Sequence, residues 1–443
     1  MTVQDDMIAQ VLDRVRQAGA SGDLIVDEKE SLSLKARSGQ LEEQSVSRSR
    51  TLGLRVIRDG QVGIAFSEAD DDTALQWLVD QALLNAHFNK TEEHERIAEL
   101  SATLHTDDAV LCPQSSMTAE QRIERLLDME STLAARPHIR NVPYNGFAER
   151  QTARTVASTH GLRATSRQRL NYLYAYALAA EGETTAMAGW GQAARRGEDV
   201  HAAPIIERAH DQATALLSGK PVASGHYAVC FDPETQSDLL SAFGLALSGK
   251  AACDGVNPWR DKLGKPVAVS GLTMVDRPLN TEGFGYALFD AEGTPTAETR
   301  LIDQGQLQTL IHNSATAREL GTRSTGHATR GPKSGLGVST HQLAILPGTA
   351  DDSELLAGDY LWLTDLQGVH SGANALSGNF SFGASGYLCR DGQRLHPVRG
   401  ITVAGNFYQM LQRIDAIGKQ TYWTWGRSSC MPTLRFADVA ISG

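Results

Sequence analysis

The sequence predicts an α+β protein in which N-terminal and middle α+β domains precede a β-rich C-terminal domain. Three observations carry this reading. The chain has 443 residues, too many for a single hydrophobic core, so two or three domains are expected. Helical and strand periodicities alternate through its first half. Beyond about residue 221 the sequence is dense in glycine and in short strand-like runs, with turns at Asp303-Gln304-Gly305 and Asp391-Gly392. The expected bounds are 1–90 for the N-terminal domain, 91–117 for a linker, 118–220 for the middle domain and 221–443 for the C-terminal domain.

Met7, Ile8, Val11, Leu12 and Val15 follow helical spacing, and the run from Ala18 to Gly22 ends that helix. A hairpin is expected across Asp59-Gly60, pairing Leu52, Leu54 and Val56 with Val62, Ile64 and Phe66. A helix near 73–86 then presents Leu75, Leu78, Ala82 and Leu83 to the sheet. Residues 91–117 mix charged and loop-forming types with little period, which reads as a linker. Thr118 and Gln121 form a capping box for a helix carrying Ile123, Leu126, Leu127 and Leu133. Strands rich in Tyr, Leu and Ala follow over 141–195, and a helix with Ala209, Ala213 and Leu216 closes the middle domain. In the last domain Asp232 caps a helix with Pro233 in its first position, and Leu239, Leu240, Phe243 and Leu247 make one apolar stripe.

A net charge of −11 and a mean hydropathy of −0.28, with no apolar run near twenty residues, argue against a membrane span. Met1 to Asp6 lacks a basic region followed by an apolar stretch, so a secretory signal is not expected and a cytoplasmic protein is. Five cysteines without a CxxC pair argue against a disulfide framework or zinc ribbon. The acidic balance disfavours nonspecific nucleic-acid binding. Arg48, Arg50, Arg154, Arg163, Arg167 and Arg169 are expected on solvated strand faces.

Familiar catalytic motifs are missing. Gly383-Ala-Ser-Gly386 is one residue short of a nucleophile elbow, and Pro332 interrupts a near phosphate loop at Gly326 to Ser334. His94-Glu95 opens a run with metal-motif spacing, but residues five apart on a regular helix diverge, and a solvated charged turn is expected there. His312, His327, His341, His370 and His396 fall in the last domain without short ligand spacing, so satisfied or exposed imidazoles are expected and no metal is assigned to them.

Positive information is concentrated near the C-terminus. The run from Leu366 to Tyr387 places small residues every few positions, among them Gly368, Ser371, Gly372, Gly378, Gly383 and Gly386, with His370 between. With Ile401-Thr-Val-Ala-Gly-Asn-Phe407 and Ser324-Thr-Gly-His-Ala328, this pattern resembles the TldD/PmbA metalloprotease family, and more specifically its PmbA (TldE) branch.

In the catalytic branch of that family, the helix beginning here at Asp232-Pro233 carries an H-E-x-x-x-H motif, and a cysteine near the C-terminus completes the metal ligands. The resemblance places those helix positions at Leu240, Ser241 and Leu245 and the cysteine at Cys430. Leu cannot donate to a metal and Ser cannot serve as a carboxylate base, so no bound cofactor is expected in this chain; zinc is expected in a TldD-like catalytic partner. Leu240 and Leu245 are expected to pack together where the metal would sit. The resemblance further implies a heterodimer that degrades unfolded peptides or matures modified peptide precursors. Peptide would lie along Gly368 to Gly386 or near His327 and Ile401, although tight internal strand packing explains those glycines equally well. Two alternatives stay open. One is a standalone or homodimeric metallopeptidase with an unrecognised site, such as Cys430 with His327 or His370. The other is a non-enzymatic peptide-binding or assembly protein.

Overall fold

The computed structural model of the protein describes residues 3–443; Met1 and Thr2, the start of the segment read for a secretory signal, lie outside the described residues. Two large mixed sheets organise an α+β chain. The first runs in the order Gln61–Ser67, Gln40–Arg58, Ser21–Arg37, Ile139–Ser158, Arg163–Glu181 and Thr103–His105, and Thr184–Ala194 also pairs with Arg163–Glu181. The N-terminal and middle segments therefore share one sheet. Ser21–Arg37 and Ile139–Ser158 pair antiparallel, with Leu24 opposite Ala157 and Leu34 opposite Phe147. Each segment still has its own helix-covered core. Val3–Gln17 and Asp72–Phe88 cover Leu24, Leu52, Leu54 and Val56, while Ala119–Ala134 and Ala202–Leu217 cover Phe147, Leu173 and Ala175.

The Asp59-Gly60 turn forms with positive φ at both residues, as a tight two-residue hairpin loop requires. The pairing differs by one residue from the expected one: Arg58 faces Gln61, so Val56 meets Gly63, Leu54 meets Ala65 and Leu52 meets Ser67. Phe66 consequently points to the opposite face and is exposed. The expected linker also needs correcting, because Thr103–His105 adds a parallel strand to Arg163–Glu181 and Asp108–Leu111 forms a helical turn. The Thr118–Gln121 capping box is present.

The second sheet runs Gln306–Leu307, Thr299–Asp303, Met274–Asp276, Leu343–Ile345, Ser429–Ser442, Gln393–Asn406, Asn379–Arg390, Asp359–Gln367 and Gly225–Phe231. Gly225–Phe231 pairs with Ser429–Ser442 as well as with Asp359–Gln367, so five strands close into a ring. The helix Pro233–Ala242 leaves the end of Gly225–Phe231 and packs against Asp359–Gln367 and Ser429–Ser442.

The loop around Arg330, which follows Ala328–Thr329 of a separate two-stranded ribbon with Gly337–Val338, fastens the C-terminal region to the first sheet. Arg330 pairs with Asp23 and donates to the Gly53 carbonyl at 3.1 Å. Arg55, 1% exposed, donates to Asp23 at 3.0 Å and to Glu95 at 2.8 Å. Burial opposes the charge on Asp23, but the two guanidinium groups outweigh it and hold its carboxyl below the usual range. Gly53 is required here because a Cβ would lie 2.1 Å from the Pro332 carbonyl oxygen. Glu95 is thus a partner in a buried ion cluster instead of part of a solvated turn. Several arginines expected on solvated faces are likewise paired: Arg154 with Asp27 at 2.6 and 2.7 Å, Arg50 with Glu28 at 2.7 Å, and Arg163 with Asp5.

Candidate functional site

The Pro233–Ala242 helix is firmly placed. Asp232 Oδ1 accepts the N–H groups of Glu234 and Thr235 at 3.0 and 3.1 Å, and its other oxygen meets Arg208 at 2.8 Å. Gln236 bridges to the Ser429–Ser442 strand, donating to the Pro432 carbonyl at 2.9 Å and accepting from Leu434 N–H at 3.1 Å. The expected apolar stripe is continuous, but the helix is not: it stops at Ala242, and Gly244–Leu247 forms a 3-10 turn.

The three positions that the resemblance points to are placed differently. Leu240 is buried and lines a gap of about 20 Å³ with Phe243, Leu247, Trp259, Met274 and Phe407. Ser241 is exposed. Leu245 is half-exposed and stands outside the apolar cluster that holds Leu240. Leu247, and not Leu245, packs with Leu240: residues five apart already diverge around a regular helix, and the 3-10 turn at Gly244–Leu247 does not bring Leu245 back. Hydrocarbon fills this region, and no group at these three positions fits a metal.

Cys430 is paired in the sheet with Trp423 and Ala344. Burial raises its thiol pKa, and the side chains acting on it are Thr421, Glu282, Arg277 and Arg427, none of them from the helix. Its neighbour Ser429 is the residue that reaches the helix, with Oγ 3.3 Å from Ser237 Oγ.

A larger cavity of about 970 Å³ lies beside the helix's first turns, between the two sheets. Its walls include Ala186 to Gly191 from the Thr184–Ala194 strand, Glu234, Asp238, Asp365, Gly383 and Arg399. Burial pushes the Glu234 carboxyl up to about 7, against the Trp425 N–H that stabilises its charge, and burial raises Asp238 as well. Of the glycines singled out, Gly383 faces this space. Gly386 and Gly372 serve close packing, since a Cβ would lie 2.0 Å from the Trp362 carbonyl oxygen and 2.3 Å from that of Ser381. Gly368 and Gly378 take positive φ at turns. His370 and Ser371 are exposed on a short helical turn.

His327 lies elsewhere. It is 1% exposed and shares the carboxylate of Asp276 with His341, the two ring centroids being 5.1 Å apart. The histidines read as separate thus include one close pair. Asp276, Glu234 and the break at Phe243 were missed from sequence; the only signal for Asp276 is an aspartate within an otherwise apolar Met274-Val275 strand end.

Comparison with known proteins agrees with this architecture. Residues 22–86, 112–217 and 224–443 match, in turn, domain 1, the central domain and the C-terminal domain of the PmbA/TldA metallopeptidases. A metalloprotease PmbA homologue of Haemophilus influenzae is 25% identical over 410 residues, spanning 90% of this chain and 88% of that protein. A TldD homologue from the same organism is 23% identical over 91% of this chain and 89% of its own length. TldE from Thermococcus kodakarensis, at 20% identity, shares the fold with a TM-score of 0.86 over 99% of this chain and 100% of that one. With all three domain models matched in order, the chain belongs to the PmbA/TldD metallopeptidase family.

Proposed function

We propose that this chain is the PmbA (TldE)-like, non-catalytic subunit of a cytoplasmic TldD/PmbA-type metalloprotease, with zinc held by a TldD-like partner. The observation that carries this reading is the pair of leucines and the serine at 240, 241 and 245, with Leu240 sealed into an apolar cluster. The cavity beside that helix supports a role in holding substrate. Thr184–Ala194 pairs, among the described residues, with no strand but Arg163–Glu181, which leaves a sheet edge for an extended peptide once Arg399 gives up the Thr185 carbonyl it now bonds at 3.1 Å. Main-chain pairing of that kind selects for unfolded peptides and for flexible precursors over folded proteins. Glu234, Asp238 and Asp365 would complement a peptide's amino group or basic side chains.

The test is peptidase activity of the purified chain, alone and mixed with an H-E-x-x-x-H relative from the same organism. Cleavage of an unstructured peptide in the mixture alone is the expected result. Chelator-sensitive cleavage by the chain on its own would overturn it in favour of a standalone or homodimeric enzyme, and a mixture that neither associates nor cleaves would favour a non-enzymatic binding protein.

A further inference from the structure

We propose that Asp276, His327 and His341 form a binding site for a divalent first-row transition metal, separate from the Pro233–Ala242 helix. The three come from different segments. Asp276 ends the Met274–Asp276 strand, His341 stands two residues before Leu343–Ile345, and His327 precedes Ala328–Thr329. Asp276 and His327 are 0% and 1% exposed.

Their ligand atoms already converge. Asp276 Oδ2 is 3.0 Å from His327 Nε2 and 3.1 Å from His341 Nδ1, and all three atoms lie within 4.8 Å of one another. Tetrahedral zinc with bonds of about 2.0 Å needs its ligand atoms about 3.3 Å apart, so small adjustments would admit the ion.

The surrounding hydrogen bonds hold these groups in place. Asp276 Oδ1 is fully engaged by the N–H groups of His341 and Gln342, at 3.0 and 2.7 Å. His327 Nδ1 sits 2.8 Å from the Thr325 carbonyl, which can only accept, so this nitrogen carries a proton. The nearby Thr325 hydroxyl accepts His312 N–H at 2.7 Å and reaches the His312 carbonyl at 3.2 Å. With Nδ1 held by the Thr325 carbonyl, the ring turns Nε2 toward Asp276 Oδ2, which aims both ligand atoms at one point. Fixing one ring nitrogen through a backbone carbonyl is how metal-binding histidines are commonly oriented.

Two imidazoles and one carboxylate suit zinc and its first-row neighbours better than magnesium or calcium. His341 also lines a cavity of about 430 Å³ together with Asp27, Arg154, Gln168 and Tyr286, which leaves room for water or a small ligand at an open coordination position.

The test strips the full-length protein with chelator, reloads it with zinc alone or cobalt(II) alone, and measures metal content, thermal midpoint and the cobalt visible spectrum. One equivalent of metal and a raised midpoint are expected for the wild type. His341→Gln, at a partly exposed position that should fold, is expected to weaken zinc binding at least tenfold and to alter the cobalt spectrum. Cys430→Ala should leave both unchanged. A wild type that retains no metal at micromolar free zinc, or a His341→Gln variant that binds as the wild type does, would overturn the proposal. Neither result bears on the mixed-subunit assay, which reads cleavage.

Discussion

The Glu234 side chain accepts the backbone N–H of Trp425, joining the first turn of the Pro233–Ala242 helix to the segment that precedes the last strand. Burial nevertheless keeps this carboxyl protonated up to about pH 7, well above its ordinary value of 4.5. Between those two pH values the folded protein holds a proton that the unfolded chain has released, so stability falls as pH rises through this window. Glu234→Gln keeps the acceptor and removes the titration. The variant should gain roughly 1–2 kcal/mol over the wild type at pH 8, after allowance for partial exposure, and nothing at pH 4, as read from urea unfolding at the two pH values.

Leu240 and Leu245 should respond differently to truncation. Leu240→Ala opens a hole in a packed cluster and should cost about 2–4 kcal/mol, whereas Leu245→Ala should cost under about 1 kcal/mol. Equal losses in a denaturant titration would contradict the packing described for the 3-10 turn.

Removing the Arg330 guanidinium leaves Asp23 to Arg55, which also serves Glu95. Arg330→Met should destabilise the protein by about 3–5 kcal/mol. The depressed Asp23 carboxyl contributes stability above its unfolded pKa that is lost as pH falls through the lower folded value. The variant, with Asp23 less depressed, should therefore unfold at a higher pH on acid titration followed by circular dichroism.

Two glycines separate close packing from the lining of the large cavity. Gly386→Ala would press a methyl group against the Trp362 carbonyl and should cost about 3 kcal/mol or more. At Gly383 the nearest atom to an added Cβ is Gln367 Cβ at 3.3 Å, so the variant should fold. Because Gly383 faces the large cavity, its alanine variant should show altered peptide KM in the two-subunit assay while its thermal midpoint moves little.

Local chemistry was legible in the sequence wherever one residue fixes the backbone. Asp59-Gly60 announced its turn, Thr118 with Gln121 its cap, and Asp232-Pro233 its helix start. Register was less accessible, because Val62, Ile64 and Phe66 are as apolar as the face that Gly63 and Ala65 occupy. The shared first sheet was not legible at all: Leu34 and Phe147 meet across a long stretch of chain, and nothing local marks them as partners. The same holds for Asp276, 51 residues from His327 and 65 from His341. The halt of the helix at Ala242 has no local signal either, and Phe243, which follows it, stacks on the distant Phe407 at 4.4 Å between ring centroids.

The ion cluster around Arg330 also imposes a timetable on synthesis. Asp23, Arg55 and Glu95 emerge early, two acids with one base, while Arg330 is made 307 residues after Asp23. At elongation rates of about 5–20 residues per second that interval is about 15–60 s. Throughout it, the N-terminal segment must either stay open to water or bury an anion short of its counterion. The nascent chain thus has reason to delay closing its first core until the third domain arrives, and fragments ending before Arg330 should be the ones that aggregate or draw chaperones.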